Sequence, residues 1–293
     1  MRVLLATLLS AGVLAAPAVV AKIPVSAGAQ PCAAAGGGAF VWVSEYASPY
    51  LLKIDPRTNK VVGKTKIGFG SCGLGFGAGS LWVEDTNSNT VSRVSARTGK
   101  RTAAIAVGAQ PYDATFAYGA GWVTSYGYGD LERIDPGRNR VVRKIKLPAA
   151  IGVVGAFGSV WATGQDGVVR IDPATNRVVA RIAIDQGAGW TAASPDALWV
   201  TSASNLIRID PSTNRVAAMI PLDTSFLGDP AVIGGTVWVP KVRANAVAIV
   251  DPATNVVSST VKTGAGPFVV SEIGGDAWIP SWHGRDVWRL RPG

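Results

Sequence analysis

The chain alternates between short segments rich in apolar residues and short polar or glycine-rich segments. In one stretch, the segments that read as strands fall at 113–117, 121–125, 131–134 and 140–147, and the turn Gly119-Ala120-Gly121 separates the first two. Segments of this length, bounded by Gly, Pro, Asn and Asp, are typical of β-strands and are too short for ordinary helices. The pattern predicts four strands, running from innermost to outermost, joined by tight turns.

A tryptophan recurs on the second strand of each such unit, after a small or apolar residue and usually before an aliphatic one. The seven are Trp42, Trp82, Trp122, Trp161, Trp199, Trp238 and Trp278, at spacings of 40, 40, 39, 38, 39 and 40. A period near forty with several strands per unit indicates propeller blades. The sequence therefore predicts an all-β, seven-bladed β-propeller of four-stranded antiparallel blades, with the tryptophans packed between neighbouring blades.

A second motif follows the tryptophans by about a dozen residues and contains Asp-Pro. It occurs at 53–56, 133–136, 170–173, 208–211 and 249–252, with a degenerate copy at 93–96. Asp-Pro followed by Thr-Asn supplies the side-chain acceptors, the fixed φ and the tolerance of left-handed backbone that a tight turn needs. The aspartates are therefore predicted to form turns between strands.

The seventh unit reaches Gly293 where its Asp-Pro turn would fall, so it lacks an outermost strand. The segment 21–26 lies ahead of Gly28 and Pro31 as 101–107 lies ahead of the corresponding Gly-x-x-Pro, which marks it as a displaced outer strand. Its pairing in the last blade would close the ring and remove two open edges. Pro24 is compatible with an outer strand.

The N-terminus has the features of a secretory signal peptide. Arg2 precedes an apolar run over 3–14, and small residues follow it. Cleavage is expected near Ala21, with an uncleaved anchor as the alternative. This divides the chain into a signal peptide at 1–21 and a single propeller domain at 22–293. No later segment has the length of a membrane helix, so a soluble mature protein in the periplasm or outside the cell is expected. A monomer is also expected.

The repeated Ile-Asp-Pro-x-Thr-Asn-x-Val-Val motif, followed by a glycine-rich turn and Leu-Trp-Val, resembles the YVTN-repeat (YncE-like) propellers. More loosely, the chain resembles virginiamycin B lyase-like and quinoprotein-dehydrogenase-like propellers. The resemblance covers essentially the whole mature chain and implies the architecture. It leaves the activity open, because propellers host binding proteins, lyases and redox enzymes alike.

The two cysteines occupy the same position in adjacent units. Cys32 and Cys72 each precede their blade tryptophan by ten residues, at the start of the innermost strand near the axis. Equivalent Cα atoms of neighbouring blades should lie there within roughly the 4.4–6.8 Å that a disulfide allows. In an oxidising compartment a disulfide is expected, and two free buried thiols are the alternative.

The connections from second to third strands, and from outer strands to the next inner ones, share one face around the channel mouth. They differ from blade to blade, which is where specificity is usually placed on a regular scaffold. Acidic residues (Glu45, Glu84, Asp85) come from the first two blades, and basic ones (Lys241, Arg243, His283, Arg285) from the last two. Aromatic residues lie between them in sequence: Tyr46, Tyr50, Tyr126, Tyr128 and Trp282 in the loops, and Tyr112, Trp190, Phe226 and Phe268 at the inner strands. This composition suits a small polar molecule, a glycan or a peptide, and an ordinary solvated rim is the alternative.

The net charge of +9 raises the possibility of nucleic acid or another anionic polymer as a partner. Eleven of the 28 basic residues, however, occupy two repeat positions that encircle the ring, before and after the Asp-Pro turn. Binding of single-stranded nucleic acid or another anionic polymer through stacking aromatic residues on the loop face remains a second alternative.

Catalysis has little support in the residue inventory. The lyase resemblance would imply a histidine, a nearby carboxylate and a divalent ion, for which His283 and Asp286 are weak candidates. Two cysteines and one histidine do not favour a metal site, and no cofactor is predicted. The sequence favours a non-catalytic binding scaffold that uses the loop face, with a lyase or hydrolase as the first alternative.

Overall fold

The computed structural model describes residues 16–293, so residues 1–15 of the expected signal peptide lie outside the described residues. The described chain forms seven four-stranded antiparallel sheets in a ring. The predicted seven-bladed propeller is confirmed. None of the helical segments within 16–293 is long and apolar enough to cross a membrane.

The strands are numbered along the chain, with β1 at Ala18–Pro24. Blade 1 contains β2 to β5 (Pro31–Gly37, Phe40–Glu45, Tyr50–Asp55, Lys60–Lys66), and blade 2 contains β6 to β9 (Ser71–Gly77, Ser80–Asp85, Thr90–Ser95, Arg101–Ala106). Blade 3 contains β10 to β13 (Pro111–Ala117, Ala120–Ser125, Asp130–Asp135, Arg140–Lys146), and blade 4 contains β14 to β17 (Val153–Ala156, Ser159–Gly164, Gly167–Asp172, Arg177–Ala183). Blade 5 contains β18 to β21 (Thr191–Ala193, Leu198–Ser202, Asn205–Asp210, Arg215–Pro221), and blade 6 contains β22 to β25 (Ala231–Ile233, Thr236–Lys241, Ala246–Asp251, Val256–Lys262). Blade 7 contains β26 to β28 (Ser271–Ile273, Asp276–Pro280, Asp286–Arg291), and short 3₁₀ turns lie at Thr86–Ser88 and Val242–Ala244.

The N-terminal strand β1 completes blade 7, as the sequence predicts. It pairs antiparallel with β28, from Ala18 opposite Arg291 to Pro24 opposite Asp286. Ile23 is 1% exposed and packs in the core cluster that contains Trp278. The strand begins three residues earlier than the expected segment at 21–26, because Ala18 and Val19 also find partners along the free edge of β28. The ring is therefore closed by pairing the two ends of the chain.

The seven blade tryptophans form the core, as the repeat predicts. Each is at most 1% exposed and lies on the second strand of its blade. Four of the indole N–H groups donate to the backbone carbonyl five residues earlier, as Trp122 does to Ala117 O at 3.2 Å. Packing of large flat side chains between neighbouring sheets fills the space that the twist of the blades leaves.

The basic residue before the Asp-Pro turn joins neighbouring blades. In blade 3, Arg133 Nη1 donates to Pro173 O (2.9 Å) and to Asn176 Oδ1 (2.8 Å) in the turn of blade 4. The same guanidinium lies 5.4 Å from the Trp122 ring centroid, in cation–π geometry. The arrangement recurs at Arg93, Arg170, Arg208 and Arg289.

The two blades without this arginine precede the two blades without an Asp-Pro turn. Blade 1 has Lys53, and the next turn is the degenerate 95–99 of blade 2. Blade 6 has Ile249, and blade 7 receives β1 where the turn would stand. This basic position therefore serves contacts between blades, which explains part of the positive charge without a polyanionic partner.

We expect Arg133→Met to destabilise the fold by about 2 kcal/mol, because two hydrogen bonds from a charged donor are lost. Asn176→Ala should cost less, and the double variant should cost less than the sum of the two. Urea unfolding measures all three. Lys53→Met is the matched control, since Lys53 Nζ lies over the rings of Phe40 and Trp42, and the loss of these contacts should stay within about 1 kcal/mol. Equal losses at Arg133 and Lys53 would contradict this role of the arginine.

Candidate functional site

A cavity of about 280 Å³ opens at the channel mouth, on the face where the second strands end. We call it the mouth cavity. Six of the seven blades contribute to it, and only blade 4 does not. It is lined by Tyr46, Cys72, Glu84, Thr86, Tyr112, Trp190, Phe226, Val242, Phe268, Trp282 and His283. Its volume lies near the lower end of the range for small-molecule sites, roughly 300–1,000 Å³.

Five aromatic rings make a continuous series around this cavity, which we call the aromatic belt. In order they are Tyr46, Trp282, Phe268, Trp190 and Tyr112, with centroid separations of 4.7, 5.5, 5.2 and 5.7 Å. Phe226 adjoins Phe268 at 6.0 Å. Trp190 is 7% exposed, whereas Tyr112 is 37% exposed. The belt therefore presents both a fixed wall and an accessible rim.

Glu84 fills the gap that the belt leaves at blade 2. It is the fifth residue of β7 and is fully buried. Its Oε1 accepts the backbone N–H of Cys72 at 3.0 Å and that of Gly73, and Oε2 accepts Thr86 Oγ1 at 3.0 Å. Burial raises the pKa of the Glu84 carboxyl well above its ordinary range, although these hydrogen bonds oppose the rise.

Gly73 makes room for this carboxyl. A Cβ at Gly73 would stand 2.9 Å from Glu84 Cγ and 2.9 Å from Asp113 Cα, both closer than carbon atoms approach. A glycine is therefore required where β6 passes between the side chain of Glu84 and blade 3.

A second, smaller cavity of about 80 Å³ lies next to the mouth cavity along the inner strands, and Cys72 and Trp190 line both. Asp113 and Asp229 lie on its wall. Asp113 accepts the N–H groups of Ala114 and Val153, both at 2.8 Å, and burial raises its pKa to about 6. Burial and the charge of Asp113 raise the pKa of Asp229 well above its ordinary range. The inner part of the site is therefore acidic, although the chain as a whole is basic.

Cys32 and Cys72 form a disulfide between blades 1 and 2, as predicted, with their Cα atoms 5.0 Å apart. The bond lies in a small core cluster whose margin includes Tyr46, Phe268 and Trp282 of the mouth cavity. It joins the first two blades at the wall of the candidate site.

A shallower depression of about 600 Å³ adjoins the mouth cavity over blades 3 to 6, with Trp190 and Phe226 common to both. We call it the side trough. Its lining is rich in backbone and small polar groups, including Gln165, Asp166 and Gln186. A ligand larger than the mouth cavity would extend into it.

The mouth cavity brings together eight of the residues chosen from the sequence: Tyr46, Glu84, Tyr112, Trp190, Phe226, Phe268, Trp282 and His283. Tyr126 lies at its edge, 5.4 Å from Tyr112, and lines the side trough. Among the others, Tyr128 lies near Lys144, and Arg243 contacts the ring of Phe226. Lys241, Arg285 and Asp85 do not line the mouth cavity.

The acidic residues chosen from blades 1 and 2 are buried. Glu45, Glu84 and Asp85 are at the ends of second strands and are at most 2% exposed. Asp85 accepts hydrogen bonds from the hydroxyls of Ser71 and Ser92 within blade 2, at 2.7 and 2.6 Å. Successive strand residues point to opposite sides of a sheet. The side chain of Glu84 therefore lies at the mouth cavity, whereas that of Asp85 bonds within blade 2.

The two weak catalytic candidates, His283 and Asp286, lie in different surroundings. His283 lines the mouth cavity, whereas Asp286 is not among the residues that line it. Asp286 Oδ1 accepts Ser281 Oγ at 2.5 Å, which closes the turn before β28. The loop contacts thus give Asp286 a structural partner.

Cavity residues that the sequence reasoning missed are Cys72, Thr86 and Val242. The phase of the repeat carries a signal for two of them. The residues four positions after the blade tryptophans are Tyr46, Thr86, Tyr126, Gln165, Ala203, Val242 and Trp282. All seven line either the mouth cavity or the side trough, so this position marks the mouth in every blade.

Comparison with known proteins bears on the fold. No family profile and no curated protein matches the chain. A solved structure of Kuenenia stuttgartiensis hydrazine synthase is similar at a TM-score of 0.76 and 18% identity, and the match covers 91% of this chain and 97% of that one. This similarity shows the fold alone.

Proposed function

We propose that this propeller is a ligand-binding scaffold that takes a small molecule, or one end of a larger one, in the mouth cavity. The observation that carries the proposal is the aromatic belt, completed by one buried carboxyl. Ligand sites are concave and mostly apolar, with a few placed polar groups, and the mouth cavity has this composition. Large aromatic rings left partly exposed at a concave surface also favour a binding role over a purely structural one.

The distribution of charge favours this function over binding of a polyanion. Five arginines contact the turns of neighbouring blades and are not gathered near the mouth. Among the described residues, His283 is the only basic side chain that lines the mouth cavity. A phosphate backbone calls for a groove rich in Lys and Arg. The lyase, hydrolase and nucleic-acid alternatives stay predictions.

We also propose that the protein is exported and belongs with the YVTN-repeat propellers. The signal-peptide pattern and the disulfide support export, because disulfides persist in oxidising compartments. The Ile-Asp-Pro-x-Thr-Asn turns support the family relationship. N-terminal analysis of the secreted protein will test the cleavage site.

A thermal-shift screen of small metabolites, oligosaccharides and short peptides tests the binding function. We expect at least one compound to raise the melting temperature, since a ligand bound at about 100 times its Kd adds about 2.7 kcal/mol. The double variant Phe268→Leu/Trp282→Leu should abolish the shift. Tyr118→Leu is the control, because Tyr118 is exposed and lies outside the mouth cavity. A screen without hits, or a shift that survives the double variant, would overturn the proposal.

A further inference from the structure

The aromatic belt differs from the other aromatic groups of this protein in its lack of cationic partners. Ten Lys or Arg side chains contact aromatic rings in the described chain, including those at six of the seven blade tryptophans. None of these cations contacts a ring of the belt. Only Arg243 comes near, and it contacts Phe226 beside the belt at 5.8 Å. The belt rings therefore have no cationic partner among the described residues, although some of their faces stack on neighbouring rings, as Tyr112 does on Trp190.

The polar group at the open side of the belt is a carboxyl, which complements a cation once it is ionised. Glu84 completes the circle between Tyr46 of blade 1 and Tyr112 of blade 3. Asp113 and Asp229 lie deeper, and no Lys or Arg lines either cavity among the described residues. Aromatic faces with a carboxylate beside them form the usual recognition site for organic cations.

We propose that the mouth cavity binds a methylated ammonium group, such as a trimethylammonium head, between the aromatic belt and Glu84. This inference rests on the proposed binding function and names the chemical class of the ligand.

The hydrogen bonding of Glu84 favours a methylated ammonium over a primary one. A carboxylate offers about four lone-pair positions, and Glu84 already accepts two backbone N–H groups and one hydroxyl. A primary ammonium ion carries three N–H donors, most of which would stay unpaired against the apolar rings, at a cost. A trimethylammonium group has no donor to satisfy and presents a charged apolar surface to the π faces.

A metal cation is a poorer fit to the same cavity. No group of three His, Cys, Asp or Glu side chains in the part of the chain that the structure describes is arranged to hold a metal ion. Calcium would need six to eight oxygen ligands, and zinc about four N or S donors. The aromatic lining supplies none of these.

Binding of the cation should depend on pH. Burial keeps the pKa of Glu84 high in the free protein, and a bound cation stabilises the ionised form, so binding releases a proton and the affinity should rise as the pH rises towards the raised pKa of the free carboxyl. Other titratable groups around Glu84 are Asp85, Asp113, Tyr46, Tyr112 and His283. His283 is the basic side chain that lines the mouth cavity, so His283→Asn is measured beside Glu84→Gln to separate the contributions of the two residues to the pH dependence.

Calorimetric titration of the folded protein tests the proposal with four compounds. They are choline, glycine betaine, ethanolamine as the primary ammonium, and the uncharged analogue of choline that carries a tert-butyl group in place of trimethylammonium. We expect choline or betaine to bind at least about tenfold more tightly than the uncharged analogue. Glu84→Gln should remove most of this preference and flatten the pH dependence, because the amide cannot ionise. The variant should keep the local structure, since its amide oxygen can still accept the two N–H groups and its NH₂ can donate to Thr86 Oγ1. Trp282→Leu should weaken binding, and Tyr118→Leu should not.

The outcomes separate this inference from the proposed function. Equal affinity for the charged and uncharged compounds, or a Glu84→Gln variant with unchanged preference, would overturn the cation while the cavity remained a binding site. Tighter binding of ethanolamine than of choline would overturn the choice of a methylated head. If neither choline nor betaine binds while the broad screen gives a hit that depends on Phe268 and Trp282, the cation inference fails and the proposed binding function stands. If the broad screen also gives no hit, the cation inference and the proposed binding function are both overturned.

Discussion

A chain that starts at Gln30 will melt roughly 10–20 °C below one that starts at Ala16, because it lacks the closing strand β1. The strand contributes an antiparallel ladder to β28 and the fully buried side chain of Ile23. At about 1 kcal/mol per hydrogen bond and about 2 kcal/mol for Ile23, the loss is on the order of 5 kcal/mol. In a domain of this size each kcal/mol corresponds to about 2–4 °C.

Thermal melts of the two truncations, followed by circular dichroism, measure this difference. The chain from Ala16 is the matched control, because it lacks residues 1–15 and retains the whole of β1. The shorter chain should also aggregate, since β28 would become an unpaired edge. Similar melting temperatures for the two chains would refute the role of β1 in closing the ring.

Replacement of both cysteines by alanine should destabilise the protein by about 4 kcal/mol, by the chain-entropy relation for a loop of this length. The disulfide joins residues 40 apart in sequence and lies where blades 1 and 2 meet at the axis. Without it, these blades can separate at the wall of the mouth cavity, so ligand affinity should fall as well. Urea unfolding of Cys32→Ala/Cys72→Ala measures the change in the free energy of unfolding.

A reductant supplies the control for this prediction. The sequence contains two cysteines, so reduction of the wild type can break only this bond. It should lower the melting temperature to near that of the double variant and leave the variant unchanged. A double variant that unfolds at the same urea concentration as the oxidised wild type would contradict the prediction.

The basic charge of the protein has a structural explanation that sequence inspection reached only in part. The repeat shows that many basic residues encircle the ring. The structure adds that Arg133 and its equivalents bind the carbonyl and asparagine of the next Asp-Pro turn. Arginine is present where that turn exists and absent where it does not. The match between the arginine of one blade and the Asp-Pro turn of the next can be seen in the sequence, once the structure shows that this turn accepts the arginine's hydrogen bonds.

The sequence by itself determined the architecture, because every blade repeats the same tryptophan, turn and strand lengths at a period near forty. It also predicted the closing strand, and it predicted the disulfide with two free thiols as the alternative. Each follows from the phase of a residue in the repeat, since equivalent positions must lie at equivalent depths and heights in the ring. By the same reasoning the fourth residue after each tryptophan marks the mouth.

Only the tertiary structure decided how the individual side chains of the site are used. Glu84 and Asp85 are adjacent acids in the sequence, yet one faces the cavity and the other is satisfied inside its blade, because strand residues alternate. The deeper acids Asp113 and Asp229 come from blades far apart along the chain. Burial and hydrogen bonding depend on atoms that several blades supply together, and a linear repeat does not encode which rings and carboxyls meet at the axis.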